Sequence, residues 1–257
     1  MPAHRANPVS VDSGEQHGRT RVCLQGGVPA RRRGSSPALP DRGDLAGVTG
    51  YGRRMSESTR WATAHGAGHA QWYIERFRRM AAEGVDLGGE ARLLDAALAR
   101  RSRVLDAGCG PGRVGAELAA RGHVVVGVDA DRELIEAAQV DHPGPTWLVA
   151  DLAQLDLAAE GMPEPFDAAV CAGNVMPYLA PGTEGDVLSR IAAHLRDDGL
   201  IVVGFGLDRG YSLADFDTHT AAAGLDVEHR FATWDLRPWY DDAPFAVTLL
   251  RRPKPTP

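Results

Sequence analysis

The chain has 257 residues, of which 44% are hydrophobic and 24% charged, with a net charge of −6. This composition suits one α/β domain with extensions. No apolar run approaches the roughly 20 residues that cross a bilayer, and the N-terminus lacks an apolar signal segment. The three cysteines form no CxxC pair, so neither a zinc cluster nor a disulfide framework is expected. We therefore expect a cytoplasmic protein without a membrane anchor.

Residues 1–54 are rich in Gly, Pro, Ser and Arg and show no helical or strand period, so we expect a disordered tail. The tail holds nine Arg and four acids, a net of +5, and subtracting this from −6 leaves −11 for residues 55–257. The arginine run at 31–33 could be a nucleic-acid arm, but the acidic body favours a solvated tail and no nucleic-acid partner. Because the composition changes abruptly at Met55, we hypothesise that translation naturally begins there.

Residues 55–100 predict an N-terminal helical cap. Apolar side chains recur at helical spacing, with charged residues between them. The apolar positions are Trp72, Ile74, Phe77 and Met80 in the first helix, and Leu93, Leu94 and Leu98 in a second helix at about 90–99.

Residues 101–252 alternate short apolar runs with amphipathic segments, which is typical of βα units in a parallel sheet. Strands are predicted at 103–106, 124–129, 146–149, 167–172, 200–205, 225–232 and 245–251, and helices at 112–121, 131–139, 184–195 and 213–223. The last two strands should pair antiparallel, because their short connection has no helical pattern. Residues 253–257 are expected to be disordered.

The segment Asp106–Gly112 reads DAGCGPG and runs directly from the first strand into a helix. Its alternating glycines let a ligand approach the backbone, and the helix N-terminus offers unpaired N–H groups. Gly110, Gly112 and Gly115 also satisfy GxGxxG, and Asp129 follows about 20 residues later, as in dinucleotide-binding folds. A nicotinamide cofactor therefore stays possible on the glycines alone.

Two further acids favour S-adenosylmethionine (SAM). Asp106 lies at the strand tip, where it would attract the ammonium group of a methionine moiety and repel a pyrophosphate. Asp151, after the third strand, is placed for the exocyclic amine of adenine. The dinucleotide interpretation explains neither acid.

The segment VLDAGCGPGRVGAELAARGHVVVGVDADRELIEAA resembles motifs I and II of the class I SAM-dependent methyltransferases. VADLAQLD resembles the adenine-binding segment of that family, FDAAVCAGN its fourth strand and LRDDGLIVVGF its fifth. The resemblance implies a Rossmann-like α/β fold: a seven-stranded, mostly parallel sheet with an antiparallel last strand and helices on both faces. It also implies SAM as the cofactor.

Carried over by position, the resemblance implies a set of cofactor contacts. Gly108, Gly110 and Gly112 would approach the methionine part, and Asp106 would meet its ammonium. Asp129 would accept hydrogen bonds from both ribose hydroxyls, with Ala130 beside the adenine. Asp151 would bind the adenine N6 and the Leu152 amide its N1. Asn174 would lie near the sulfonium.

Several of these residues have a structural alternative. Asp129 and Asp131 could shape the turn and cap the helix that follows, and Asp151 could cap a turn. Asp167 is expected to start its strand or cap a loop. Cys109 and Cys171 are not expected to be nucleophiles, because no general base can be placed beside either. For Asp129, the position at the end of a strand favours ligand binding over a purely structural role.

No catalytic residue is identified; the candidates are Asn174, Tyr73 and His69. His65 and His69 have the i, i+4 spacing of metal ligands, but no third ligand is placed, so no metal is expected. The aromatic residues Trp234, Trp239 and Tyr240, with Arg237, could line an acceptor pocket or simply pack.

The acceptor has no visible signature. CAGNVMPYL lacks an NPPY-type tetrad, which disfavours amide or exocyclic-amine methylation of protein or DNA. The leading hypothesis is a methyltransferase acting on a small molecule reached under the cap. An NAD(P)-dependent oxidoreductase and a non-catalytic SAM-binding protein are the alternatives, and the oligomeric state is not predicted.

Overall fold

A computed structural model of the protein describes residues 58–64, 66 and 68–254. The predicted tail at 1–54, the proposed start at Met55, His65 and residues 255–257 lie outside the described residues. The division into a cap at 55–100 and a sheet domain at 101–252 stays a prediction.

Seven strands form a single sheet in the order β3-β2-β1-β4-β5-β7-β6. Strand β7 is antiparallel to both of its neighbours, and the remaining described pairs are parallel. The strands are β1 (Arg103–Ala107), β2 (Val124–Asp129), β3 (Thr146–Val149), β4 (Phe166–Cys171), β5 (Leu195–Gly206), β6 (Asp226–Phe231) and β7 (Phe245–Arg251). The predicted fold class and the antiparallel closing hairpin are confirmed.

Strand β5 is longer than the sequence predicts, because it begins at Leu195 rather than at residue 200. Leu195 pairs with Phe166 of β4, and the register then shifts before Leu200 pairs with Ala168. The intervening charged residues and glycine have the composition of a turn, which explains why the first part of the strand is not visible in the sequence.

Helices cover both faces of the sheet. They are α1 (Arg60–Ala64), α2 (His69–Ala82), α3 (Gly89–Ala97), α4 (Arg113–Ala120), α5 (Arg132–Asp141), α6 (Val175–Tyr178), α7 (Glu184–His194) and α8 (Leu213–Ala222). One face packs against α3 and α4, and the other against α6, α7 and α8. Within the described part of the chain, no helix is long and apolar enough to cross a membrane.

The cap helix α2 packs on α5 through a narrower apolar stripe than the sequence predicts. Ile74 is buried against Leu134, whereas Trp72 is 51% exposed. Trp72 instead stacks on the ring of His69 and lies beneath Arg76. Trp72 is therefore at the exposed edge of the apolar stripe, because helical spacing alone does not fix which edge of the stripe meets the core.

One indole ring fills the space beside three glycines. Trp147 on β3 is 6% exposed and donates a hydrogen bond from Nε1 to the carbonyl of His142 at 2.9 Å. A Cβ atom would lie 2.9 Å from this ring at Gly112, 2.8 Å at Gly115 and 2.3 Å at Gly127. The glycines of the loop and of β2 therefore make room for a core side chain.

Replacing Gly127 with alanine should lower the free energy of unfolding by about 1–3 kcal/mol, because the new methyl group overlaps the Trp147 ring. Urea denaturation would measure this loss. Gly89→Ala is the matched control, since its nearest contact would be at 3.9 Å. Equal stability of the Gly127→Ala variant and the wild type would contradict the packing of Trp147 described above.

Candidate functional site

A cleft opens at the carboxyl ends of β1, β2, β3 and β4, the usual position of a ligand in an open α/β sheet. It encloses about 890 Å³ of empty space, including its open mouth. The loops after the four strands form its floor, and α1 and α2 of the cap form its roof. Sequence reasoning identified the floor residues more completely than those of the roof.

The glycine loop at the end of β1 has three residues in the left-handed region, with φ of 75° at Gly108, 54° at Gly110 and 85° at Gly112. This backbone conformation favours glycine. The missing Cβ atoms serve different purposes, however. At Gly108 a Cβ would lie 2.4 Å from Val175, and at Gly112 it would meet Trp147. The prediction that all three glycines clear space for a ligand was therefore wrong for these two Cβ positions.

Gly110 is the loop glycine that faces open space in the cleft. A Cβ there would have Tyr73 as its nearest neighbour, at 3.7 Å. Gly108, Gly110 and the intervening Cys109 line the cleft, whereas Gly112 is not among its lining residues. The backbone at Gly110 is thus the part of the loop that a ligand can approach.

Asp106 is 1% exposed and its Oδ2 accepts a hydrogen bond from the Gly115 N–H at 2.8 Å. This bond fixes the first turn of α4 to the tip of β1. Burial raises the pKa of the Asp106 carboxyl to about 7. The carboxylate is therefore costly to ionise in the protein alone and would be stabilised by a cationic ligand.

Asp129 joins the ends of β1 and β2. Its Oδ2 accepts from the Gly110 N–H at 2.9 Å, and its Oδ1 accepts from the Asp131 N–H at 2.9 Å. Burial raises the pKa of the Asp129 carboxyl to about 6. The side chain both shapes the turn and lines the cleft, so its structural and ligand-binding roles are compatible.

The end of β3 supplies a third acid beside the cleft. Asp151 accepts the Ala153 N–H at 2.9 Å and caps the 3₁₀ turn Leu152–Gln154. Asp151 and Leu152 both line the cleft, as does Ala130 at the end of β2. The helix-capping role considered for Asp131 is present, since its Oδ1 accepts from the Glu133 N–H.

Asn174 is not among the residues that line the cleft, although its neighbours Gly173 and Val175 are. It has a left-handed φ of 68°, and its Oδ1 accepts the Gly206 N–H at 2.7 Å. The amide oxygen therefore links the ends of β4 and β5. The structure does not bring this candidate to the ligand space, because a neighbouring strand takes its acceptor atom.

Tyr73 is the predicted catalytic candidate that lies in the cleft. Its ring extends from Gly110 to Gly173, since a Cβ at Gly173 would lie 3.8 Å from the hydroxyl. Within residues 58–64, 66 and 68–254, no group forms a hydrogen bond with this hydroxyl. Burial raises the pKa of Tyr73, so the phenol stays protonated near neutral pH.

His69 lies outside the cleft, against the rings of Trp61 and Trp72. In the described part of the chain, no cluster of three His, Cys, Asp or Glu side chains could hold a metal ion. Cys109 and Cys171 are buried, and burial raises both thiol pKa values, that of Cys171 to about 12. Neither thiol is suited to be a nucleophile.

The roof is held across the cleft by two adjacent residues that sequence reasoning did not identify. Arg60 donates to Glu184 at the start of α7 at 2.9 Å, and the Trp61 Nε1 donates to Oδ2 of Asp131 at 2.9 Å. These bonds tie α1 to both sides of the cleft. No local pattern reveals them, because each joins residues at least 70 positions apart.

The final hairpin does not contribute to the cleft. The Trp234 ring packs on β5, 2.2 Å from where a Cβ at Gly204 would be, and Trp239 lies beneath Arg230. Neither these residues nor Arg237 and Tyr240 line the cleft. The packing alternative therefore applies to this segment.

Comparison with known proteins agrees with this geometry. The profile of the methyltransferase domain family matches residues 104–199. A TehB-like SAM-dependent methyltransferase from Corynebacterium glutamicum is 40% identical, with a TM-score of 0.68; the alignment covers 72% of this chain and 98% of that one. No curated protein sequence gives a match.

Two more distant structures share the fold. A SAM-dependent methyltransferase from Clostridium acetobutylicum is 11% identical, with a TM-score of 0.61, over 72% of this chain and 99% of that one. An amino pentose methyltransferase from Micromonospora echinaspora is 18% identical, with a TM-score of 0.56, over 73% and 99%. The methyltransferase domain match and the 40% identical relative favour methyl transfer over nicotinamide oxidoreduction. On the 40% identity and the site together, the chain belongs to the class I SAM-dependent methyltransferases.

Proposed function

We propose that this methyltransferase holds SAM along the ends of β1, β2 and β3 and methylates a small molecule that enters beneath the cap. The observation that carries the proposal is the convergence of Asp106, Asp129 and Asp151 on one roofed cleft. Each acid lies at or just after the carboxyl end of a different strand, so together they span the floor. A ligand with several separated polar groups matches this arrangement.

The chemistry of the cleft fits the adenosyl part of SAM. Asp129 would accept hydrogen bonds from the ribose hydroxyls, and Asp151 would accept one from the adenine N6. The Leu152 amide would donate to the adenine N1, with Ala130 beside the ring. Leu134 and Leu152 add apolar surface for a planar base.

The loop after β1 fits the methionine part. Gly110 lets the ligand approach the backbone, and Gly108 lies beside it in the same wall. Asp106, which is costly to ionise alone, would be stabilised by the ammonium group. Gly112 and Asn174 are left out of this assignment. A Cβ at Gly112 would point at Trp147, and the Asn174 side chain points at Gly206.

When bound, SAM supplies a methyl group that its own sulfonium charge activates. The protein then has mainly to orient the acceptor in line with that methyl group and to exclude water. Tyr73 is suited to orient the acceptor, since its protonated hydroxyl can both donate and accept. It is not suited to act as a phenolate base.

A small acceptor is supported by the roof. The hydrogen bonds of Arg60 and Trp61 hold α1 over the cleft, a covered arrangement that favours a small molecule over a bulky polymer. The excess of acidic charge after residue 54 also disfavours nucleic acid. Solved structures of the same fold include methyltransferases of amino pentose and of sugar nitrogen, both small-molecule acceptors.

Asp151→Ala tests the adenine contact separately from the turn that Asp151 caps. We expect about tenfold weaker binding of SAM and S-adenosylhomocysteine by calorimetry, because one hydrogen bond to the base is lost. Asp156→Ala is the matched control, since Asp156 also caps a turn, by accepting the Ala159 N–H at 3.1 Å. Equal losses in both variants would argue against the adenine contact. Failure of the wild type to bind either compound would reject the proposed function.

A further inference from the structure

The charge of the cleft restricts what it can methylate. Asp106, Asp129 and Asp151 line it, and Arg113 is the one basic side chain among the lining residues described. SAM carries an ammonium, a sulfonium and a carboxylate, so its net charge is a single positive one. The described lining therefore presents three acids and one basic side chain to a donor with a net charge of +1.

Arg113 is not available to an anionic acceptor. Its Nη1 donates to Glu90 at 2.8 Å and to the Leu87 carbonyl at 2.7 Å, and its guanidinium lies 5.3 Å from the centre of the Phe77 ring. The side chain is 19% exposed. A partly buried arginine with a paired carboxylate gains little by exchanging it for another anion.

Arg60 and Arg209 lie near the mouth, do not line the cleft and each have an acid nearby. Arg60 pairs with Glu184 at 2.9 Å. Arg209 lies 3.8 Å from Asp208 and donates to the Tyr178 hydroxyl at 3.2 Å. Arg76 lies over the Trp72 and Phe77 rings and does not line the cleft. An acceptor carboxylate or phosphate would thus meet a lining whose one described basic side chain is already paired with Glu90.

Aromatic rings form the remaining acceptor wall. Trp61 lies between Tyr73 and Tyr178, with ring centres 5.3 and 5.9 Å away and planes at 76° and 83°. All three rings line the cleft. Rings at near right angles form adjacent sides of a box, and the faces of Trp and Tyr attract alkylammonium groups.

We infer that the acceptor is an amine, which becomes an alkylated ammonium within this aromatic and acidic wall; the inference rests on the proposed function. The lone pair of the amine nitrogen forms the new N–C bond as the S–C bond breaks, which leaves a neutral thioether. An acceptor that binds as an ammonium first releases a proton to water, because its lone pair must be free, and its nitrogen becomes positive again when the methyl group is transferred. Surrounding carboxylates and ring faces stabilise this developing charge.

Two probes with the same ring and opposite charge test the inference: phenethylamine and phenylacetate, added to the protein loaded with S-adenosylhomocysteine. Calorimetry should show that the amine binds at least about tenfold more tightly, an effect of about 1.4 kcal/mol. With SAM, S-adenosylhomocysteine should form with the amine and not with the carboxylate. Failure of the amine to bind, or a carboxylate that binds equally well, would overturn the inference.

Variants at Tyr178 separate the ring from its hydroxyl. Tyr178→Leu should weaken phenethylamine binding about tenfold, whereas Tyr178→Phe should keep it within about threefold, because the ring face is retained. Equal losses in the two variants would contradict the aromatic wall. S-adenosylhomocysteine binding is measured first in each protein. Its absence from the wild type would reject the proposed function, whereas its retention without a preference for the amine would reject this inference alone.

Discussion

Replacing Asp129 with alanine is expected to weaken SAM binding at least about 100-fold, close to 3 kcal/mol. The variant would lack the two charge-assisted hydrogen bonds from the ribose hydroxyls to the Asp129 carboxylate, each worth about 1.5–3 kcal/mol. The Gly110 N–H would also lose its acceptor, which loosens the loop against the methionine part. Calorimetric titration with SAM and with S-adenosylhomocysteine measures the effect.

Asp167→Ala is the matched control for Asp129→Ala. Asp167 also lies at a strand end and accepts a backbone N–H, from Arg103 at 2.7 Å, which fits the loop-capping role expected for it. Asp167 is the second residue of β4 and lies at the amino end of the strand, whereas the cleft lies at the carboxyl ends. Its removal should affect stability and leave SAM affinity unchanged. Comparable loss of affinity in both variants would show that Asp129 acts through the sheet rather than on the ligand.

The second large effect concerns Asp106, whose pKa is raised to about 7 by burial. In the unfolded chain the pKa of this carboxyl is about 3.9. Between the unfolded and the folded pKa, the unfolded state has released a proton that the folded state retains. The stability due to Asp106 is therefore complete below about pH 4 and is lost as the pH rises to about 7. The total loss is about 4 kcal/mol, at about 1.4 kcal/mol per pH unit.

Asp106→Asn removes this dependence, since the amide does not ionise. The free energy of unfolding of the ligand-free variant, relative to the wild type, should rise between about pH 4 and pH 7 by up to about 4 kcal/mol. Urea denaturation at a series of pH values measures it. SAM affinity should fall in the same variant, because the partner of the ammonium is lost. Parallel stability curves for variant and wild type would contradict the burial cost.

Asp86→Asn provides a control of opposite sign. Asp86 is exposed, and its hydrogen bond with Arg92 lowers its pKa to about 2. Its contribution is present above about pH 4 and is lost as the pH falls towards 2. This variant should therefore differ from the wild type at neutral pH and converge with it in acid.

The central strands β1, β2 and β4 could be predicted because they are mostly buried and read as short apolar runs. Val124–Asp129 and Phe245–Arg251 were predicted with the bounds that the structure shows. The antiparallel hairpin followed from the length of one connection. The short helices Arg60–Ala64 and Val175–Tyr178 were missed, because each is too brief to establish a helical period.

The floor of the site followed from position, since carboxyl ends of parallel strands meet at one edge. Asp106, Asp129 and Asp151 were brought together for that reason. The direction in which each residue points was harder to predict. Gly112 and Asn174 have suitable positions along the chain but turn towards Trp147 and Gly206. Local spacing does not encode which neighbour fills the space beside a residue.

The indole of Trp147 restricts which side chains positions 112, 115 and 127 can hold during evolution. A methyl group at Gly115 or Gly127 would overlap this ring, so either change requires a smaller side chain at 147. Gly112 is constrained further, by its φ of 85° and by the Ala138 Cβ at 2.9 Å. We expect changes at 115 and 127 among relatives to accompany a smaller residue at 147. Two of the three GxGxxG glycines, Gly112 and Gly115, can thus be maintained by core packing in a protein that binds no dinucleotide.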